Sequence, residues 1–335
     1  MPPAAALEGS RRKPGIHPKV EALLLLFEAK EIHAARSGRE VMEALAAVSA
    51  DSTASGVETL GRELEANMHV LIGAMPAYAP PSNVMQRIQF EIDQAKSRRL
   101  PVETLRATIA QAAVSYRAWS EQARARIATY AGALIPAGAT VFTFTLSETV
   151  LTALRQARKR GLAFKVILTE SRPNNDGLST ARSLAEIGVE VELGIDAGVG
   201  ELARRADLML IGAEAILSDG SAICKVGTYP AALAARRARL PVYVLVDSQK
   251  FHSISLLGRV PALDPIGRGE ILPEGKGGEA SALGSLFDRT PAELITGLVT
   301  ERGLVHPTQA SSWMMSMPVS ESLAARMARP ALGAG

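Results

Sequence analysis

Apolar residues recur at helical spacing through the first 134 residues of the chain. Val20, Leu23 and Phe27 are three to four positions apart, which places them on one face of a helix. Similar stretches follow at 41–48, 57–71, 84–95, 101–120 and 123–134, and a proline-rich segment at 75–83 predicts a turn. We therefore predict an all-helical domain over residues 15–134. Residues 1–14, with prolines, a glycine and basic side chains, are predicted to be a flexible arm.

From residue 135 onward, short β-type runs alternate with helical segments. The β-type runs are 140–146, 163–169, 189–195, 208–211 and 241–246, and the helical segments between them are 148–160, 177–187, 198–205 and 229–239. Such alternation is typical of βαβ units, in which helices cover both faces of a parallel sheet. The predicted fold class is therefore α/β, with an N-terminal all-helical domain followed by a Rossmann-like parallel-sheet domain over 135–305.

The C-terminal part of the chain departs from this alternation. Residues 261–286 are rich in glycine and proline, which predicts a flexible excursion. The string DRTP has the acid–proline signature of a helix start, so we predict a helix over 287–302. Residues 306–335 form a predicted C-terminal tail. We expect Trp313, within this tail, to dock on the protein's own surface rather than on a partner.

The stretch 206–228 carries the most informative candidate chemistry. Glu214 follows the C-terminal end of a buried-type apolar run at 208–211. Lys225 follows, just before a helix start at Gly227 and Thr228. Ligands of parallel α/β sheets bind beyond the carboxyl ends of the strands, and helix starts offer backbone N–H groups to anions. This stretch therefore predicts an anion-binding pocket.

Composition narrows the classes of function. Only 4% of the 335 residues are aromatic and the net charge is +3, with the basic residues dispersed, which argues against nucleic-acid binding. The apolar runs are far shorter than the roughly 20 residues that span a bilayer, and the N-terminus lacks the apolar core of a signal peptide. We therefore expect a soluble, cytoplasmic protein without membrane contact. The single cysteine excludes an intrachain disulfide.

Missing motifs exclude several enzyme classes. The sequence contains no GxxxxGK[ST] string for a nucleotide hydrolase and no GxGxxG after the first β-type run for a dinucleotide-binding domain. It also lacks the GxSxG elbow of serine hydrolases. The five histidines are scattered and form no metal-ligand pattern. We accordingly expect neither a metal nor a cofactor.

Six strings, in order along the chain, resemble one protein family. They are TESRP at 169–173 with Gly177, IDAGVG at 195–200, GAEA at 212–215, KVGTY at 225–229, VDSQKF at 246–251, and FDRTP at 287–291 with Ile295 and Thr296. The chain resembles the family of the alpha, beta and delta subunits of eukaryotic translation initiation factor 2B. That family also contains ribose-1,5-bisphosphate isomerase and methylthioribose-1-phosphate isomerase. The resemblance implies a helical domain, a Rossmann-like domain, and a homodimer formed through the latter.

The resemblance separates the branches of the family at two positions. The isomerases carry a cysteine after the first strand and an aspartate in a GAD string, as the pair that transfers protons in aldose–ketose interconversion. In this chain the two positions are Thr145 and Glu214. A threonine hydroxyl is far too weak an acid to replace a thiol, and the longer Glu214 disturbs the geometry. Because the initiation-factor branch tends to carry the glutamate, we expect the isomerase chemistry to be lost.

The predicted anion-binding residues are better retained. The side chains and the resemblance together assign ligand binding to Arg36, Ser147, Arg172, Asp196, Lys225, Gly227, Thr228 and Lys250. Structural alternatives stay open for these residues. In the alternatives, Arg172 and the lysines form ion pairs or lie on the surface. Asp196 caps a helix, and Glu214 accepts hydrogen bonds within its own loop. Asp176 adds a carboxylate near the predicted phosphate position, which weakens anion binding. We interpret Cys224 as a buried structural thiol.

Three functions stay open. The first is a non-catalytic, initiation-factor-2B-like protein that binds a phosphorylated sugar or nucleotide and reports that ligand to a protein partner. The second is an aldose–ketose isomerase of a phosphorylated pentose, which would use Glu214 with Thr145 or a water. The third is an assembly protein with a vestigial pocket. The first is our leading hypothesis.

Overall fold

The computed structural model describes residues 15–29, 31–272, 280–320 and 322–323. The predicted arm at 1–14 lies outside the described residues. So do the centre of the predicted excursion and the end of the predicted tail. None of the described helices is both long enough and apolar enough to cross a membrane.

Five helices form the N-terminal part of the chain. They are α1 (Pro18–Glu28), α2 (Ala34–Asp51), α3 (Val57–Ile72), α4 (Ala79–Ser97) and α5 (Val102–Ala133). The apolar faces predicted from helical spacing pack together around Leu45, Leu60 and Ile88, which are fully buried. The helical character of this part is therefore as expected.

One helix boundary differs from the prediction. α4 begins at Ala79, inside the segment predicted to be a turn, because Pro80 and Pro81 fall in its first turn. Proline is tolerated there, since the first N–H groups of a helix have no intrahelical partner. The helix predicted over 101–120 continues through 123–134 as expected, because the residues between the two stretches contain no helix breaker.

The second part alternates strands and helices. Its elements are β1 (Thr140–Phe142), α6 (Glu148–Lys159), β2 (Lys165–Thr169), α7 (Asp176–Ala185), β3 (Glu190–Gly194), α8 (Val199–Arg204), β4 (Leu208–Gly212), β5 (Ala215–Ile216), β6 (Ala222–Lys225), α9 (Thr228–Arg237), β7 (Val242–Leu245), α10 (Arg268–Ile271), β8 (Phe287–Thr290), β9 (Gly297–Thr300), β10 (Gly303–Val305) and α11 (Ala310–Met314).

Seven of these strands form one mostly parallel sheet. The strand order is β10–β9–β7–β4–β1–β2–β3, and only β10 runs antiparallel to its neighbour. Helices α5, α6 and α7 cover one face, and α8, α9 and α11 cover the other. This arrangement confirms the predicted α/β fold class. The division into domains at residues 134 and 305 stays a prediction.

The helix predicted over 287–302 is wrong. Strands β8 and β9, joined by a 3-10 turn, occupy this range. Asp288 does not begin a helix of its own, because its carboxylate accepts from the backbone at the start of α9. Leu298 and Val299 are fully buried, and β9 lies between β7 and β10, so sheet pairing overrides the local helix signal.

A second, three-stranded antiparallel sheet joins the two parts of the molecule. Its order is β5–β6–β8. Ile223 and Phe287 from this sheet pack with Ala77 and Tyr78, which precede α4. The small sheet was not predicted, and it holds the loop before α4 against the carboxyl edge of the large sheet.

Candidate functional site

Three elements bring Thr145, Asp176 and Lys225 together. Thr145 follows β1, Asp176 opens α7 and Lys225 ends β6. One carboxylate oxygen of Asp176 lies 3.3 Å from Lys225 Nζ and 3.4 Å from Thr145 Oγ1. Because Lys225 is only 7% exposed, this ion pair is shielded from water and its two charges are strongly coupled.

The loops around this ion pair hold an unusual backbone conformation. Thr145, Ser171 and Asn175 have φ values of 65°, 59° and 57°, in the left-handed region that side chains other than glycine rarely adopt. The conformation is least favourable for the β-branched Thr145. Such strain costs on the order of 1–3 kcal/mol per residue and clusters at binding and catalytic sites.

Glu214 lies between β4 and β5 at the same edge of the sheet. Its backbone carbonyl accepts from the N–H of Ala79, at the start of α4, with a distance of 3.1 Å. Burial raises the pKa of the Glu214 carboxyl, and Lys250, Lys225 and His33 oppose that rise. The carboxyl therefore accepts a proton more readily than an ordinary glutamate.

Lys250 lies beneath Glu214. Its side chain is buried, and its Nζ donates to the backbone carbonyl of Ala213 at 2.5 Å. This contact fixes the position of the ammonium. We use the name cleft for the cluster of Tyr78, Thr145, Asp176, Glu214, Lys225 and Lys250, which are linked by contacts and charge interactions. The alternative that Lys250 lies on the surface is therefore wrong.

Tyr78 is a member of the cleft that the sequence did not reveal. Burial raises the pKa of its hydroxyl, and the carboxylates of Glu214, Asp264 and Asp176 raise it further. The hydroxyl therefore stays protonated and can donate a hydrogen bond. No sequence signal marked Tyr78, because it lies in a proline-rich segment that was predicted to be a turn.

The helix start that was predicted to bind an anion already holds a carboxylate. Asp288 Oδ2 accepts from the N–H groups of Gly227 and Tyr229 at 2.8 and 3.0 Å, and Thr228 Oγ1 donates to the carbonyl of Lys225 at 2.6 Å. Burial raises the pKa of Asp288 to about 6, although the backbone N–H groups of Tyr229, Gly227 and Thr228 lower it. Asp288 lies in the FDRTP string that carries the family resemblance. The sequence did not reveal that its carboxylate contacts the start of α9.

Gly227 is required by its surroundings. Its φ is 98°, and a Cβ at this position would lie 2.5 Å from the ring of Phe144. Any other residue would be strained and would also push against this buried ring. Gly227 thus sets the path of the chain from β6 into α9.

Asp196 organises the loop after β2. Its two carboxylate oxygens accept from the N–H groups of Ser171 and Arg172 at 2.9 and 2.7 Å. The guanidinium of Arg172 donates to the carbonyl of Glu270 at 3.0 Å. Gly198, and not Asp196, is the N-cap of α8, and the Asp196 carboxylate is engaged in the loop, so the helix-cap alternative is wrong.

Ser147 and Arg36 make local contacts. Ser147 Oγ accepts from Val150 N at 3.3 Å and caps α6. Arg36 pairs with Glu40, one turn further along α2, at 3.2 Å, and nearly half of its side chain is exposed. Of the predicted residues, the structure brings Thr145, Glu214, Lys225 and Lys250 together. Ligand binding by these and by the other predicted residues stays a prediction.

Comparisons with known proteins agree with this architecture. A profile described as the initiation factor 2 subunit family matches residues 31–307. The putative translation initiation factor eIF-2B subunit 2-like protein of Pyrococcus horikoshii is 35% identical over 212 residues, which cover 63% of this chain and 74% of that protein. The ribose 1,5-bisphosphate isomerase of Pyrococcus furiosus is 29% identical over 276 residues, covering 81% and 85%.

A solved structure is similar along nearly its whole length. The crystal structure of the translation initiation factor eIF-2B of Pyrococcus horikoshii OT3 superposes with a TM-score of 0.74 at 28% sequence identity. The superposition covers 88% of this chain and 99% of that one. The chain is thus similar both to factor-type and to isomerase-type proteins.

Proposed function

Because the chain belongs to the initiation factor 2 subunit family, we propose that it is an initiation-factor-2B-like regulatory protein that binds a phosphorylated sugar or nucleotide without converting it. Thr145 carries this proposal, because its hydroxyl faces the Asp176–Lys225 ion pair where the isomerases carry a thiol. The single cysteine, Cys224, cannot substitute. It is buried in β6, and burial raises the pKa of its thiol.

The cleft supplies the contacts that such a ligand needs. Lys225 and Lys250 are two cations with little exposure to water, where a phosphate would gain most from them. Tyr78 offers a protonated hydroxyl and Glu214 a carboxyl for the hydroxyl groups of a sugar. The phosphate would compete with Asp176 for Lys225, so the affinity depends on how readily this ion pair opens.

One observation favours an isomerase as the second candidate. The pKa of Glu214 is raised by burial, and a carboxyl with a raised pKa is suited to general acid–base catalysis near neutral pH. In that case Glu214 would move protons between the two carbons of a phosphorylated pentose, with Thr145 or a water as its partner. An assembly protein with a vestigial pocket is the third candidate function.

Thermal unfolding with ribose 1,5-bisphosphate tests ligand binding. We expect a ligand at a hundred times its Kd to stabilise the protein by about 2.7 kcal/mol. Lys225→Gln should abolish the shift. Asp176→Asn should strengthen binding roughly tenfold, because it removes the competing carboxylate. Lys165→Gln is the matched control, since Lys165 is exposed and pairs with Glu190 at the start of β2 and β3.

Each alternative has its own outcome. No shift with any of a panel of sugar phosphates and nucleotides would favour the vestigial pocket. Turnover of a ligand that disappears in Glu214→Gln would favour the isomerase. A shift that Lys225→Gln leaves unchanged would mean that the ligand binds elsewhere.

The assembly of the protein is proposed from family membership. We propose a homodimer through the Rossmann-like part and a protein partner that senses the bound ligand. The chain mass is 35.4 kDa. A molar mass near this value by light scattering would contradict the dimer.

A further inference from the structure

A groove of about 810 Å³ lies between the helical part and the C-terminal segment. Its walls come from α4 and α5 on one side, and from Arg302 and residues 313–318 on the other. Ser248 and Gln249 form part of its lining. None of the six residues that define the cleft lines this groove. The next residue in the chain, Lys250, belongs to the cleft and donates to the carbonyl of Ala213, so the turn at 248–250 contributes residues to both places.

The lining of the groove is aromatic and basic. Its nineteen residues include two tryptophans, one tyrosine and two arginines, and no acidic side chain. Trp119 packs edge-on against Tyr116, with 5.6 Å between ring centres. Trp313 stacks on Phe251 with 5.1 Å between ring centres and an angle of 17°. The expectation that Trp313 docks on the protein's own surface is thus realised at the end of this groove.

Arg302 is a basic residue of the groove wall that packs against an aromatic ring. Its guanidinium lies 4.9 Å from the centre of the Trp313 ring. Within the residues that the structure describes, its side chain makes no hydrogen bond or ion pair. Arg87, by contrast, is paired with Glu91 at 2.6 Å. The adjacent Glu301 is buried and accepts from Ser248 N, and it forms no ion pair with Arg302. Stacking on tryptophan orients a guanidinium while leaving its N–H edge free for an acidic group.

We propose that this groove is a second ligand site, for a small organic anion that carries a flat aromatic ring. The volume lies within the range of roughly 300–1,000 Å³ of small-molecule sites. The ring would pack against Trp119 and Tyr116, and the acidic group would bind Arg302. A carboxylate, a sulfonate and a phosphate share the chemistry that Arg302 recognises.

The chain's own ends are poor occupants of the groove. Ser316, Met317 and Pro318 already form part of its wall, and the chain then continues to Ser320, which donates to Gln86 at 2.7 Å. Residues 324–335 contain two arginines and no acidic residue, and residues 1–14 contain three basic residues and one acidic residue. Both segments are net basic, so their charge does not complement Arg302.

The two tryptophans of the groove make the proposal directly testable. The chain contains only two tryptophans, Trp119 and Trp313, and both line the groove, so tryptophan emission reports on this place alone. We would titrate the full-length protein with 1-anilinonaphthalene-8-sulfonate, an aromatic anion. N-phenyl-1-naphthylamine, which has the same ring system without the charge, is the matched probe.

We expect saturable binding of the sulfonate at one site, with energy transfer from tryptophan. Arg302→Gln should weaken this binding about tenfold and leave the uncharged probe unaffected, whereas Arg302→Lys should retain most of it. Arg98→Gln, at the exposed end of α4, is the control and should change nothing. Competition by benzoate and by phenyl phosphate then decides which acidic group the site prefers.

Several outcomes would overturn the proposal. Sulfonate binding that does not saturate, or that Arg302→Gln leaves unchanged, would show that the groove does not select an anion. Equal loss of both probes in Arg302→Gln would mean that the substitution only disturbs the packing of Trp313. Binding of an acidic peptide without any competition by the small anions would assign the groove to a protein partner instead.

Discussion

At the scale of single residues, the groups that could bind an anion in and beside the cleft already contact a carboxylate. Asp176 holds Lys225, and Asp288 holds the N–H groups at the start of α9. The sequence predicted Lys225 and Gly227 to bind an anion, because they lie at a predicted helix start. It could not identify these pairings, since they depend on how distant elements pack. Any anionic ligand therefore has to compete with a carboxylate that is already in place.

His252 leads to a prediction of how the free energy of unfolding depends on pH. It is 2% exposed, and burial lowers the pKa of its imidazole to about 4 from an ordinary 6.5. The unfolded chain therefore binds more protons than the folded one between these values, so His252 lowers the free energy of unfolding as the pH falls from about 6.5 to about 4. The loss amounts to about 3 kcal/mol at the acid end.

Replacing His252 tests the predicted direction of this pH dependence. In His252→Gln we expect the free energy of unfolding, measured by urea denaturation, to fall less between pH 6.5 and 4 than in the unaltered protein. His69→Gln is the control, because His69 is exposed on α3. Equal pH dependence in all three proteins would show that the His252 imidazole titrates normally in the folded state.

At the scale of elements, the strand–helix alternation was predictable and the end of the chain was not. Five of the six parallel strands, β1, β2, β3, β4 and β7, lie within the predicted runs to within a residue, because short β-type runs between turn residues are typical of strands. The sixth, β9, lies in the range that was predicted to be helical. The short strands β5, β6 and β8 escaped detection. A strand such as Ala215–Ile216 has too few residues to show a period, and its pairing with β6 is visible only in three dimensions.

Asn83 in α4 joins the helical part to the sheet. Its amide donates to the carbonyls of Gln249 and Phe251, both at 2.7 Å, and its carbonyl accepts from Ser253 Oγ at 2.8 Å. We expect Asn83→Ala to lower the free energy of unfolding by about 3 kcal/mol, because it leaves these buried groups without partners. Ser97→Ala, at the exposed end of α4, should cost less than about 0.5 kcal/mol. Similar losses in both variants would mean that the Asn83 contacts contribute little.

At the scale of the whole molecule, α5 links the two parts. Leu105 and Ile109 near its start belong to the helical core, whereas Ile127 and Ala131 near its end pack on the sheet. Together with the turn at 248–253, this helix places the cleft and the groove at the boundary between the two parts. A ligand in either place therefore contacts elements from both. Such a position suits a protein whose role is to report on a bound ligand.

The central claim is that the cleft binds a phosphorylated ligand and leaves it unchanged. Phosphorus NMR of ribose 1,5-bisphosphate mixed with the protein tests both halves of this claim at once. We predict broadened or shifted phosphate resonances in the presence of the unaltered protein, sharp resonances with Lys225→Gln, and no product signal over time. Product resonances that grow with the unaltered protein and are absent with Glu214→Gln would contradict the claim, and so would resonances that the protein leaves untouched.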